Sequence, residues 1–102
     1  MKPCCEEYLN GQFGGDAELV AEIYGEYVSS LKAKLAEAAS ALAAGQWEAL
    51  DRAAHTVKGN ALAAGDEETA ETGIALRRAA KLNDAAESRS LLAKLEALAE
   101  GL

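Results

Sequence analysis

From Leu19 to Leu42 the apolar residues Leu19, Val20, Ile23, Tyr27, Leu31, Leu35, Ala38 and Leu42 recur, after the adjacent first pair, at steps of three and four, and no proline follows Pro3 anywhere in the chain. This is the period of an α-helix with one buried face, and the absence of proline spares its backbone the strongest interruption. The spacing predicts a helix over about 16–44, opened by Asp16, whose carboxylate can accept from the free N–H groups of the first turn, and closed by Gly45. At 1.5 Å per residue such a helix is roughly 43 Å long, more than a compact globule of this size needs. Its first turns are therefore expected to overhang the rest or to bend near Gly25.

The same period continues. A second helix starts near Gln46-Trp47 and places Trp47, Leu50, Ala54, Val57, Ala61 and Ala64 on one face before Gly65-Asp66 breaks it. A third covers about 67–80 on Ala70, Gly73, Ile74, Leu76 and Ala80, small residues that allow a neighbour to come close. Asp66 is its N-cap, and Glu67-Glu68 suit the positive end of its dipole. Asn83-Asp84 supplies the next turn and cap, and a fourth helix runs to about 100 on Leu91, Leu92, Leu95 and Leu98. Connections this short make successive helices antiparallel neighbours. The expected fold is all-α: an antiparallel up-down-up-down four-helix bundle over 16–102, preceded by a short N-terminal lead-in. Residues 1–15, with Pro3, Asn10-Gly11 and Gly14-Gly15, read as irregular or partly helical.

Composition narrows the function. A chain of 102 residues offers one core and its surface, with no room for a separate nucleotide-binding domain. Half of it is hydrophobic, with Ala the dominant type and 5% aromatics, which suits close-packed helices. A net charge of −7 argues against nucleic acid or an anionic membrane as partner, since either calls for clustered Lys and Arg, and favours a protein. No apolar run reaches transmembrane length, and the start Met1-Lys2-Pro3-Cys4-Cys5 lacks a signal-peptide core, so a cytoplasmic location is expected. Cys4 and Cys5 are adjacent and the only cysteines, and they read as two reduced thiols in a loose N-terminus. One histidine and no Glu-x-x-His pair leave no metal site to expect.

That histidine, His55, points roughly 130° away from the mean direction of the apolar stripe on its helix, so its ring should face solvent. Arg52, His55 and Gly59 share this face, and Lys58 and Leu62 lie between it and the core. A neutral imidazole on a rigid helix is a nucleophile near pH 7, and a cation one turn on can stabilise charge on an arriving phosphoryl group. Gly59 leaves open space, at a cost of about 0.5–1 kcal/mol relative to Ala inside a helix, which close approach by a partner would explain.

The stretch Ala54-His55-Thr56-Val57-Lys58-Gly59-Asn60-Ala61-Leu62-Ala63-Ala64-Gly65 resembles the signature of histidine phosphotransfer (HPt) domains, in which the phosphorylated histidine precedes a lysine by three, a glycine by four and a second glycine by ten. Phe13-Gly14-Gly15-Asp16-Ala17-Glu18-Leu19-Val20 is similar to that family's approach to its first long helix, and Ala43-Ala44-Gly45-Gln46-Trp47-Glu48 to the turn before its histidine helix. The likeness covers about residues 12–100. It implies that His55 accepts the phosphoryl group, that Lys58 stabilises it and that Gly59 is the gap that lets a receiver domain dock; a receiver docked there is expected to lie against the face bearing Arg52, Gly59 and Leu62. It also implies a phosphocarrier, expected as a monomer, without kinase activity or a cofactor of its own. Its partners would be response-regulator receivers, which bring the Mg²⁺, and a sensor histidine kinase, hybrid or not.

Three residues depart from the family's pattern. Asp66 and Thr69 make the start of the third helix more polar than usual. Arg77 lies as far after the turn at 65–66 as His55 lies before it, where the family usually has Glu or Gln to accept a hydrogen bond from the histidine ring. Arginine has no acceptor. It can add positive charge to the histidine environment or stand as an ordinary surface arginine; with Asp66 and Thr69 it can also mark a bundle that kept the fold as an interaction module and lost phosphotransfer.

Overall fold

Three aspartates set the starts of three helices. Asp16 accepts from the Leu19 N–H at 3.2 Å, Asp66 from Thr69 at 3.3 Å and Asp84 from Glu87 at 3.0 Å, each closing a free donor of a first turn. Glycines set two of the ends, since Gly45 and Gly65 take the left-handed backbone with φ of 68° and 74°. The computed structural model describes Met1 to Leu102 as five helices with no strand: α1 (Pro3–Gln12), α2 (Ala17–Ala43), α3 (Trp47–Ala64), α4 (Glu67–Lys81) and α5 (Ala85–Glu100). None is long and apolar enough to cross a membrane.

α3 packs against α2 and α4, and α5 against α4 and α2, so these four close a ring. Between them lies a core that includes Tyr27, Leu31, Leu35, Leu50, Val57, Leu76 and Leu95, together with buried alanines such as Ala38, Ala54, Ala61 and Ala80. α2, at 27 residues, runs unbroken through Gly25 and nearly matches the 43 Å length of the molecule. On α4 the expectation needs correcting: Ile74 is 40% exposed, and the buried face is Thr69, Thr72, Gly73, Leu76 and Ala80. Gly73 explains the shift. A Cβ there would lie 3.3 Å from the Lys58 nitrogen and 3.5 Å from the Ala54 oxygen, so α4 turns this bare position onto α3 and Ile74 beside it swings outward.

The segment expected to be irregular or partly helical is a ten-residue helix, α1, and it is not loose. Pro3 stands in its first turn, where no N–H is needed, and the buried pair Cys5 and Leu9, one turn apart, docks it on α2 and α3. α1 lies beside the N-terminal half of α2, where the Lys2 N–H reaches the Tyr24 hydroxyl. Cys5 is thus a core residue, and burial, reinforced by the Asp66 charge, pushes its thiol pKa up to about 12. Only Cys4 is exposed.

A buried polar cluster fastens α1 in place. Asp66, fully buried, accepts from Lys2 Nζ at 2.6 Å, from the Tyr27 hydroxyl at 2.7 Å and from the Thr69 hydroxyl at 2.8 Å, besides capping α4. Burial alone would push the carboxyl pKa up, but these hydrogen bonds outweigh it and hold the group below its ordinary value. The same burial, with the bond to Asp66, drives the Tyr27 hydroxyl well above its ordinary value. Nearby, the Tyr24 hydroxyl accepts from the Lys2 N–H at 3.1 Å and donates to the Leu102 carbonyl at 3.3 Å.

Candidate functional site

The core stripe of α3 decides what its other face can present. With Leu50, Ala53, Ala54, Val57, Ala61 and Ala64 buried, Arg52, His55, Gly59 and Leu62 are exposed and Lys58 is half-buried. Leu62, expected nearer the core, is 52% exposed, an apolar side chain in solvent two turns after the histidine. Beside Gly59 the space is open, with no atom within 4 Å of where a Cβ would stand. Neither Arg52 nor Lys58 enters a salt bridge, so both cations remain available to an anion.

The turn that carries His55 is held from two sides. Asn60 donates to the Ser30 hydroxyl at 3.0 Å, tying α3 to α2. On the other side Gly73 brings α4 against the backbone of Ala54 and Lys58. Nothing but backbone separates the helices there, so the height and tilt of α3 at the histidine are set by main-chain contact and not by a flexible side chain.

Arg77 lies lower on this seam. Its Nε donates to Asp51 Oδ1 at 2.9 Å, which places the guanidinium beside the carboxylate one turn before His55. No motif in the sequence marks Asp51, although its spacing of four from His55 puts the two side chains on neighbouring positions of one face. Gly73 reads from the sequence only as a small residue; its place against the histidine turn depends on the register of α4 on α3, which counting from the 65–66 turn puts about one helical turn away. Past Leu62, Tyr8 and Cys4 of α1 line an open groove together with Leu62.

Such an arrangement offers one exposed nucleophilic ring on a fixed helix, two unpaired cations within a turn of it, and an open lane for a partner. No three His, Cys, Asp or Glu side chains gather as ligands for a metal ion. The family model of the Hpt domain matches residues 22–102, from the second turn of α2 to the end, leaving α1 outside. No curated protein and no solved structure matches the chain.

Proposed function

Because this chain belongs to the Hpt-domain family, whose members are phosphotransfer modules of two-component signalling, we propose that it carries a phosphoryl group on His55 between the aspartates of receiver domains. The observation that carries the reading is the exposure of His55 on a helix whose opposite face is core, with Lys58 and Gly59 in the following turn. A neutral ring nitrogen attacks the phosphorus of an aspartyl phosphate. The N–P bond forms as the P–O bond breaks, and the aspartate leaves as a carboxylate. In the onward step another receiver's aspartate attacks, and the imidazole leaves.

The transition state is loose, with charge on the three equatorial oxygens, so alignment and electrostatics do most of the work. Lys58 supplies positive charge from this side, while the receiver brings its own Mg²⁺ and acidic pocket. Arg52, Gly59 and Leu62 form the docking face, and Arg77 belongs to the histidine environment. In this reading the domain is a monomeric, cytoplasmic carrier arranged as an antiparallel up-down-up-down bundle of α2–α5, with a sensor kinase upstream and no kinase activity of its own.

The second reading, a bundle that binds partners without transferring phosphate, draws on Arg77, which offers the imidazole no acceptor. Asp66 and Thr69 lend it no support, since their polarity serves the cluster that holds α1. Incubation with phosphorylated receivers separates the two. Transfer of an acid-labile, alkali-stable label to the wild type, and its loss in a folded His55→Gln variant, is the expected result; labelling that survives in that variant would overturn the assignment of His55.

A further inference from the structure

Asp51 is the one carboxylate on the histidine face of α3 within a turn of His55. At a spacing of four residues the two Cβ atoms lie about 5–6 Å apart. A phosphoryl group on the ring adds roughly 1.5–2 negative charges, so a bare carboxylate at that distance opposes both its arrival and its residence. The pair is only partly screened, because Arg77 and Asp51 keep 34% and 25% of their side-chain surface. In a chain of net charge −7 the few cations around the histidine, Arg52 and Lys58, have little surplus to spare against it.

We infer that Arg77 is a positioning residue that acts through Asp51: its guanidinium, bonded at 2.9 Å, cancels that carboxylate and keeps the surroundings of His55 cationic for phosphoryl transfer. The inference rests on the proposed role of His55 and says how the site tolerates an arginine where an acceptor is usual. Arg77 need not touch the phosphoryl group. The guanidinium is engaged with Asp51, one turn back from the histidine, and the backbone seam at Gly73 fixes how α4 presents it.

Four proteins test the inference: wild type, Arg77→Gln, Asp51→Asn and the double variant, each with one phosphorylated receiver in excess, comparing initial rates of transfer and thermal midpoints. Arg77→Gln is expected to slow transfer about tenfold, the order of one unmasked charge at this range. Asp51→Asn is expected to match or exceed the wild type. The double variant is expected to recover to within about twofold of the wild type even though it lacks the ion pair, a rescue that a purely structural role of the pair would not give. A double variant as slow as Arg77→Gln overturns the mask and assigns Arg77 a direct contact with the phosphoryl group or the receiver. Wild-type rates in Arg77→Gln overturn it as well. A wild type that takes no label from any receiver fails the underlying phosphotransfer reading instead, which keeps the two failures apart.

Discussion

Replacing Asp66 by Asn keeps the shape of the buried cluster and removes its charge. The carboxylate accepts from three side-chain donors, Lys2, Tyr27 and Thr69, at 2.6–2.8 Å. A hydrogen bond to a charged group contributes about 1 kcal/mol more than a neutral one, so roughly 3 kcal/mol of charge assistance is at stake. Lys2 is a quarter exposed, which weakens its share, and a neutral amide is cheaper to bury than a carboxylate. The expected loss is about 2 kcal/mol, or about 8–16 °C in Tm for a domain of this size.

Its pH dependence identifies the cause. The folded Asp66 pKa lies below the ordinary 3.8, so its stabilisation is fully present above 3.8 and is lost as pH falls through the lower folded value. The Lys2 pKa is raised above 10.5: burial works against this, but the bond to Asp66 prevails, and its share is present below 10.5 and lost as pH rises through the folded value. The Tm gap between wild type and Asp66→Asn is therefore expected to be level from about pH 4 to 9 and to narrow on either side, the Cys5 thiol near Asp66 adding to the alkaline loss. Calorimetry from pH 2.5 to 8 is sufficient. A gap that stays constant down to pH 2.5, or no gap at neutrality, would refute the charged clasp.

Gly65 has φ of 74°, and a Cβ there would fall 2.4 Å from the Tyr8 Cβ, so Gly65→Ala should cost about 1–2 kcal/mol in backbone strain and also push α1 away, seen as lost hydrogen-exchange protection in α1; Gly45→Ala, with equal strain and open space, should leave α1 protected. Gly59→Gln fills the open lane beside His55 and should slow transfer about tenfold or more while leaving Tm unchanged or slightly higher, since Gln is the better helix former; normal rates would mean the receiver approaches elsewhere.

What the sequence made legible were features written locally. The caps at Asp16, Asp66 and Asp84, the left-handed glycines at 45 and 65 and the three-four spacing are each contained within one or two turns, and α2 to α5 lie within a few residues of their predicted bounds. The exposure of His55 follows from the same periodicity. α1 was obscured because its buried face is only Cys5 and Leu9, and because Asn10-Gly11, a turn signal in isolation, is carried inside a helix. Asp66 could be read as a cap, but not as the centre of a buried cluster, since Tyr27 and Lys2 stand 39 and 64 residues away. Counting from the turn at 65–66 puts Arg77 level with His55. The bare contact at Gly73 settles the register differently, and only the three-dimensional packing reveals Asp51 as its partner.

The distances in sequence spanned by the clasp have a kinetic side. α3 and α4 meet across a two-residue connection, so their contacts close small loops early, at little entropic cost. Lys2 reaches Asp66 over 64 residues, and Tyr24 reaches Leu102 over 78, contacts whose loops close cheaply only once the helices between them are already in place. Interactions absent from the folding barrier act on the rate of escape from the native state and hardly at all on the rate of reaching it. A late-docking α1 is therefore expected to act as a latch: a variant that loosens the Lys2–Asp66 clasp should speed unfolding and leave the refolding rate nearly unchanged, and stopped-flow kinetics checks this.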